Sequence, residues 1–208
     1  SSAGIVASDT TGVGTTRFRL AATNFGVNGQ AIFGYGNNAS NLAAANNQSM
    51  TNIVSNAGVV ATDTTGVGTA RGYLAAAVFG TSGQSIFGYG YNGSVASVTN
   101  IVSNVGVVAT DVTGVGTART NLAATAFGSS GQAIFGYGYN GASTFYSVTN
   151  IVSSAGVVAV DVTGVGTARY GLAAATFGSS GQAIFGFGFS SITLAPTAVT
   201  NIVSSAGI

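Results

Sequence analysis

The chain has almost no charge and lacks most residues that carry out chemistry. Of its 208 residues 4% are charged, and histidine, cysteine, tryptophan, lysine and glutamate do not occur. Acid–base or nucleophilic catalysis would have to rely on four aspartates with no histidine or cysteine to assist them. We therefore expect neither an enzyme nor a bound cofactor, and the absence of cysteine excludes a disulfide framework.

Two classes of partner are also disfavoured. The net charge of +1 provides no basic surface for nucleic acid or for an anionic membrane. Hydrophobic residues make up 46% of the chain, but Gly, Asn, Gln and Ser interrupt every apolar run. No run reaches the ~18 residues of a spanning helix, so membrane insertion is not expected.

One sequence pattern is repeated four times. Its best preserved copy covers 51–90, recurs at 99–138 and 149–188, and in part opens the chain at 4–36. Repeats of this length are typical of solenoids, propellers or arrays, whose units bury apolar faces against their neighbours. We expect a single domain, 1–208, with repeats at about 4–50, 51–98, 99–148 and 149–199 and a further repeat beginning at 200–208.

Each repeat is expected to form four short strands. In the second copy these are 70–79, 85–91, 98–103 and 106–111, and a Gly-containing turn joins the first two as a hairpin. The second run alternates large residues with Gly88 and Gly90, which indicates close packing of another group against the strand. Four strands in about 50 residues are typical of a β-propeller blade.

The segment 117–158 resembles a kelch repeat. Arg119 matches the arginine of that family, Ala123 and Ala124 its small-residue strand, Ile134 and Phe135 its aliphatic strand, and Gly136 and Gly138 its paired glycines. The resemblance implies a kelch-like propeller. More loosely, the repetitive and charge-poor pattern is similar to tail and surface proteins of bacteriophages, which implies a place on a virion or another extracellular surface.

The two ends suggest how a ring would close. The chain begins at a fourth strand, 4–9, and ends after a third strand, 199–205. We predict that these two runs pair and complete a four-bladed propeller, so that no sheet edge stays open. The small residues that follow Leu74, Leu122 and Leu172 would suit a narrow central channel. The alternative is an open segment of a longer array, because SSAGI stands at both 1 and 204. Residue 1 is not Met, which predicts a processed product or a fragment of a longer chain.

Each repeat carries one aspartate and one arginine. We predict that they form a structural charge ring in which the arginines are buried and bonded to aspartate or to loop carbonyls. Aspartate oxygens could also bind Ca²⁺, but arginines at the same period oppose this, and we expect no metal site. The ring residues are Asp9, Asp63, Asp111, Asp161, Arg17, Arg71, Arg119 and Arg169.

Variation in length is confined to one loop of the repeat. The step from the Thr of TNIV to the next Arg is always 20 residues, whereas the step from the preceding Gln to that Thr is 21, 15, 17 or 18. Repeats that vary at one loop vary on one face, which is commonly the binding face. Aromatic and amide side chains there suit a protein contact or stacking on a sugar. The candidate binding residues are Tyr91, Asn92, Tyr139, Asn140, Phe145, Tyr146 and Phe189.

The sequence therefore predicts a non-enzymatic structural or recognition module on an exposed surface, binding through its variable loops. The partner would be another protein of the same particle. The alternative is a lectin-like propeller that binds a surface glycan.

Overall fold

The computed structural model describes residues 8–39 and 43–207 and is all-β. Apart from a single 3-10 turn at Ala44–Asn46, its elements are short strands, and no helix in the described ranges is long and apolar enough to cross a membrane. The strands are β1 (Ala21–Phe25), β2 (Gln30–Gly34), β3 (Thr51–Val54), β4 (Ala75–Phe79), β5 (Gln84–Tyr91), β6 (Val95–Val102), β7 (Ala123–Phe127), β8 (Gln132–Tyr139), β9 (Phe145–Val152), β10 (Arg169–Tyr170), β11 (Ala173–Phe177), β12 (Gln182–Gly186), β13 (Phe189–Ser190) and β14 (Thr200–Val203).

The strands form four three-stranded antiparallel sheets and one two-stranded ribbon. The sheets are β1-β2-β3, β4-β5-β6, β7-β8-β9 and β11-β12-β14, and the ribbon is β10-β13. We call the four units modules 1 to 4 and give them the residues 14–63, 68–111, 116–161 and 166–207. The predicted hairpin is present in each module, with a Gly-containing turn between its first two strands.

The predicted fourth strand is reduced to isolated bridges. In module 2, Val108 pairs with Val102 and Val112 with Thr99, but no continuous ladder joins them. The side chain of Asn100 lies between these two bridges and donates to the carbonyl of Ala109 at 3.0 Å. A side-chain amide thus occupies a position that backbone pairing would need, and the strand does not continue.

The modules are stacked in a row. First strands lie beside one another in the order β1, β4, β7, β11, and no comparable contact joins β1 to β11 among the described elements. Backbone hydrogen bonds connect neighbouring modules at equivalent hairpin turns, from the N–H groups of Gly26, Gly80 and Gly128 to the carbonyls of Gly83, Gly131 and Gly181 at 2.6–2.7 Å. Among the described elements each module therefore contacts its neighbours in the row, as in solenoid proteins.

The hydrophobic core lies between the modules. One cluster joins Phe25, Ile32 and Tyr35 of module 1 to Leu74 and Phe87 of module 2. Equivalent clusters join modules 2 and 3 and modules 3 and 4. Because a three-stranded sheet has no second layer of its own, it can bury its faces only against the next sheet.

A phenylalanine and a glycine form the closest contact between modules. Phe87 of module 2 covers Gly34 of module 1 so closely that a Cβ atom on Gly34 would lie 2.7 Å from the ring. The same contact joins Phe135 to Gly88 and Phe185 to Gly136. The first glycine of each Gly-x-Gly pair therefore forms a notch that receives the phenylalanine of the following module.

A β-bulge lets one strand pack against both neighbouring modules. Phe87 and Tyr89 are two residues apart and would share a face in a regular strand. Tyr89 instead has φ 62°, and the register of β5 with β6 shifts between Gly88 and Gly90. As a result Phe87 contacts Tyr35 of the preceding module, and Tyr89 contacts Phe135 of the following one. The left-handed tyrosine costs about 1–3 kcal/mol, which packing on both faces offsets.

The prediction of a four-bladed propeller is wrong. None of the five sheets curls around an axis, and no four-stranded blade forms in the described part of the chain. The small residues after Leu74 and Leu122 are buried because first strands approach each other between modules. The kelch-like paired glycines also have another role, since the first is a notch and the second belongs to the bulge.

The predicted closure has no counterpart in the described residues. The run 4–9 lies outside them except for Ser8 and Asp9, which belong to no strand. At the other end, β14 pairs only with β12.

We expect Gly88→Ala to destabilise the fold by about 1–3 kcal/mol, because overpacking a tight contact costs this much. The new Cβ would lie 2.7 Å from the ring of Phe135. Gly186→Ala is the matched control, since its Cβ would meet only a methyl group of Thr200, at 3.3 Å. Urea unfolding at low protein concentration measures both variants. An equal loss of stability in the two variants would contradict the role of Gly88 as a notch for Phe135.

Candidate functional site

The predicted loop residues lie at one edge of the stack, where second and third strands are joined. The structure places Tyr91 and Tyr139 at the last positions of β5 and β8, Asn92 and Asn140 directly after these strands, and Phe189 in β13. All of these side chains are half-buried. They are therefore held in place by the fold while part of each remains accessible.

The two asparagines stabilise their own loops. Asn140 Oδ1 accepts hydrogen bonds from the backbone N–H groups of Ala142, Ser143 and Thr144, each at 2.9 Å. Asn92 Oδ1 accepts from the backbone N–H of Ser94 at 3.2 Å. Such Asx turns are a common way of fixing a loop. The amide oxygens of both asparagines are thus engaged within the loops.

Four aromatic rings form a cluster across modules 3 and 4. Tyr139 and Tyr170 stack with their centroids 5.1 Å apart, and Phe145 lies edge-on to both at 5.5 and 5.0 Å. Phe189 joins them at 5.5 Å from Tyr170. Tyr146 follows Phe145 in β9 and therefore points to the opposite face of the sheet. It makes no ring contact with the described aromatic residues.

A shallow hollow lies beside this cluster, between modules 2 and 3. Its volume is about 170 Å³, and it is lined by Tyr73, Tyr91, Thr120, Asn121, Tyr139 and Gly141. Three tyrosine rings thus surround a space that also contains an amide and a hydroxyl group. Flat rings with hydrogen-bonding groups nearby can hold a small polar ligand or a side chain of a partner protein.

Arginine extends the row of rings toward module 1. The guanidinium of Arg19 lies 4.3 Å from the ring centre of Phe18 and 4.4 Å from that of Tyr73. We call the continuous surface the aromatic edge, and it consists of Phe18, Arg19, Tyr73, Tyr91, Asn121, Tyr139, Phe145, Tyr170 and Phe189.

Sequence reasoning missed the part of this edge that does not come from the variable loops. These residues occupy the two positions after the repeated arginine, which read FR, GY, TN and YG in the four copies. Backbone N–H groups of Tyr73, Asn121 and Gly171 each donate to the carbonyl of the equivalent residue one module earlier, at 2.9–3.0 Å. The step from each repeated arginine to the next Gln is 13 residues in all four copies, and strong variation at two positions inside this constant step was the available signal. The missed residues are Phe18, Arg19, Tyr73, Asn121 and Tyr170.

The repeated arginines lie at the contacts between modules. Arg71 is fully buried and donates to the carbonyls of Tyr89 and Thr69 at 2.8 and 2.9 Å and to Asn100 Oδ1 at 2.8 Å. Its guanidinium also lies 4.4 Å from the ring centre of Tyr35 in the preceding module. Each such arginine therefore holds its own module together and covers a ring of its neighbour.

The other arginines show the same arrangement with local differences. Arg119 has equivalent carbonyl and asparagine partners and lies 4.3 Å from the ring centre of Tyr89, and Arg169 lies 4.1 Å from that of Tyr137. Arg17, in the first module, is half-buried and donates to Met50 and Asn52.

Burial and the neighbouring arginine shift the pKa of these tyrosines in opposite directions. Burial raises the pKa of Tyr35 to about 12, although the positive charge of Arg71 lowers it in part. Desolvation lowers the pKa of Arg71, and Tyr35 and Asp111 act against this.

In modules 1 to 3 an aspartate at the end of the module binds its first residues. The carboxylate of Asp111 accepts hydrogen bonds from the backbone N–H and hydroxyl of Thr69 at 3.0 and 2.6 Å, and from Asn100 Nδ2 at 2.9 Å. Asp63 and Asp161 have the same partners in modules 1 and 3, and Asp9 is exposed.

The eight predicted charge-ring residues do not surround an axis. Asn100 lies between Arg71 and Asp111 and bonds to both, and this group recurs along the stack. Within the described residues one arginine–aspartate pair comes within ion-pair distance, Arg119 and Asp161 at 3.9 Å. No group of three or more potential metal ligands is found there.

Comparison with known proteins assigns no family. No protein-family model matches the chain, and no curated protein matches it significantly.

We expect Arg71→Ala to destabilise the protein by on the order of 3 kcal/mol, because the buried carbonyl of Tyr89, the partly buried carbonyl of Thr69 and Asn100 lose their donor. Arg17→Ala is the matched control and should cost less, since Arg17 is half-buried and lies over no tyrosine of a preceding module. Urea unfolding measures both variants. Equal losses would contradict the role of the arginine between modules.

Stability should decrease below the ordinary aspartate pKa of 3.8. Hydrogen bonds from Thr15 and Asn52 lower the pKa of Asp63; for Asp111, burial acts to raise the pKa but bonds from Thr69 and Asn100 outweigh it. The unfolded chain takes up protons first, so stability is retained above this pH and lost as the pH falls through the lowered values.

Urea unfolding measured as a function of pH tests this expectation. Asp111→Asn should lose less stability on acidification than the parent, because one of the three bonded carboxylates is gone. Asp9→Asn should match the parent, since Asp9 is exposed and makes no hydrogen bond in the described part. Rising stability in acid would refute the role of these carboxylates.

Proposed function

We propose that this protein is a non-enzymatic structural module that presents a recognition surface, the aromatic edge, on the exterior of a larger particle. The observation that carries the proposal is the hollow between modules 2 and 3, which is lined by Tyr73, Tyr91 and Tyr139. Aromatic side chains that are held in place and partly accessible are typical anchors of protein interfaces.

The rigidity of this edge supports a binding role. Tyr91 and Tyr139 stand at the ends of paired strands, and Tyr139 also donates its hydroxyl to the carbonyl of Ala142 at 2.7 Å. Tyr73 is fixed by its backbone bond to Arg19. A surface that is already ordered loses little conformational entropy when it binds.

Charge favours a neutral partner. Arg19 is the one charged residue of the aromatic edge, and its guanidinium is occupied by two rings. Binding would therefore depend on ring contacts and hydrogen bonds, and less on electrostatic steering. A protein of the same particle fits this description. A phage virion or tail is the location that the sequence resemblance implies, and it stays a prediction.

A glycan is the second candidate, and the composition of the hollow favours it. The side-chain amide of Asn121 lies beside three tyrosines that line the hollow. A pyranose ring presents apolar C–H groups on its faces and hydroxyl groups at its rim, so both kinds of group would be used. Binding to a glycan array at physiological salt distinguishes this candidate from a protein partner.

We expect Tyr91→Ala and Tyr139→Ala each to weaken attachment by about 1–2 kcal/mol, because each removes a ring from the hollow. Tyr146→Ala is the matched control, since Tyr146 lies in the same region but outside the hollow. Val160→Ala controls for loss of an exposed apolar side chain, as Val160 is 73% exposed. Titration against the bound glycan or the purified neighbouring protein measures the change, and thermal unfolding shows that folding is retained. Equal weakening by Tyr146→Ala would refute the hollow as the site.

A further inference from the structure

The two ends of the stack expose side chains that are buried everywhere else. Phe87, Phe135 and Phe185 are completely buried, whereas their counterpart in module 1, Phe33, is 38% exposed. At the other end, Phe177 is 39% exposed, although Phe25, Phe79 and Phe127 in the earlier modules are at most 1% exposed. Each end is thus one half of an interface that the chain forms three times internally.

The last module presents the receiving half. The notch at Gly186 is open, because a Cβ there would meet only Thr200, whereas the corresponding notches at Gly34, Gly88 and Gly136 are filled by phenylalanine. Phe187 takes the place of the buried tyrosines and is 62% exposed, and Ile202 beside it is 60% exposed. We call this surface, made by Phe177, Gly186, Phe187 and Ile202, the receiving face.

The first module presents the inserting half. Phe33 occupies the position of the phenylalanines that fill notches from modules 2 to 4. Arg17 occupies the position of the arginines that cover a tyrosine ring of the preceding module. The turn at Gly58 is open, since no atom of the described residues lies within 4 Å of the place a Cβ would take, whereas the equivalent turn at Gly106 packs on Phe25 and Ile53 of the preceding module. We call this surface, made by Arg17, Phe33 and Gly58, the inserting face.

Polar groups at the two ends are also complementary. In modules 1 to 3, an aspartate binds the threonine and asparagine of its module. No carboxylate bonds to Thr167 or Asn201 in the described part of module 4. Asp9, before module 1, is exposed and has no such partner among the described residues.

We infer that the receiving face of one chain binds the inserting face of a second copy, head to tail. Phe33 of the second copy enters the notch at Gly186 of the first, and Arg17 covers Phe187. The contact continues the internal interface, with the same phenylalanine–glycine and cation–ring pairs. Because the two faces are different, the association is heterologous. It repeats the internal contact, which stacks the modules in an open row, so chains add at both ends.

Sedimentation velocity of the purified chain tests the inference, over about 1 to 100 μM, where contacts of moderate affinity become populated. The sedimentation coefficient should rise continuously with concentration as chains add head to tail. Phe33→Ala removes the inserted ring, and Gly186→Ala fills the notch. Each variant alone should remain monomeric.

A mixture of the two variants is the decisive measurement. Phe33→Ala retains a receiving face and Gly186→Ala retains an inserting face, so an equimolar mixture should form a dimer and nothing larger. Val160→Ala, which alters neither face, should associate like the parent, and circular dichroism should show that all variants keep the fold. A monomeric parent chain, variants that still associate alone, or a mixture that fails to dimerise would each overturn the inference.

Discussion

The structure depends on the contact between one module and the next, because no module has a complete core of its own. Each three-stranded sheet buries its apolar side chains against its neighbours, and a buried arginine stabilises both sides of the contact. Arg71 bonds to the backbone and to Asn100 of its own module while its guanidinium covers Tyr35 of the preceding one. Stability is therefore a sum of neighbour contacts, as in other repeat proteins. The features that look most unusual in the sequence, the paired glycines and the single arginine of each repeat, are needed at this contact.

The sequence supported prediction of the local elements but not of their assembly. Hairpins could be predicted because the turn glycines and the strand runs are local signals. The choice between a ring and a row depends on how one module is oriented on the next, and small residues such as Ala75 and Ala77 suit a narrow channel and a close stack equally well. The left-handed conformation of Tyr89 could not be anticipated, because positive φ is uncommon for residues other than glycine. The prediction of a fourth strand was wrong for a reason that only the three-dimensional structure shows. The side chain of Asn100 lies between the two bridges and takes the place of backbone pairing.

The candidate site was predictable in part for the same reason. Differences in loop length pointed to Tyr91 and Tyr139, which the structure places on the aromatic edge. Tyr73 and Tyr170 were missed because they lie in a step of constant length, and only their placement next to the loops of other strands brings them to this edge. Asn92 and Asn140 lie in these loops, and their side-chain oxygen atoms accept hydrogen bonds from the loop backbone. At these two positions asparagine, a residue type suited to binding, stabilises the turn of its own loop.

The hollow between modules 2 and 3 takes residues from two adjacent repeats, and this has an evolutionary consequence. Unequal recombination between repeats adds, removes or exchanges whole modules, and the same phenylalanine, glycine and arginine form all three contacts between modules in this chain. Every such event places a different pair of modules side by side and so combines the variable positions after the arginine in a new way. A tandem gene of this kind can produce new surface hollows without a single change in its core residues. Diversity of the surface is then generated by the order of the modules along the chain.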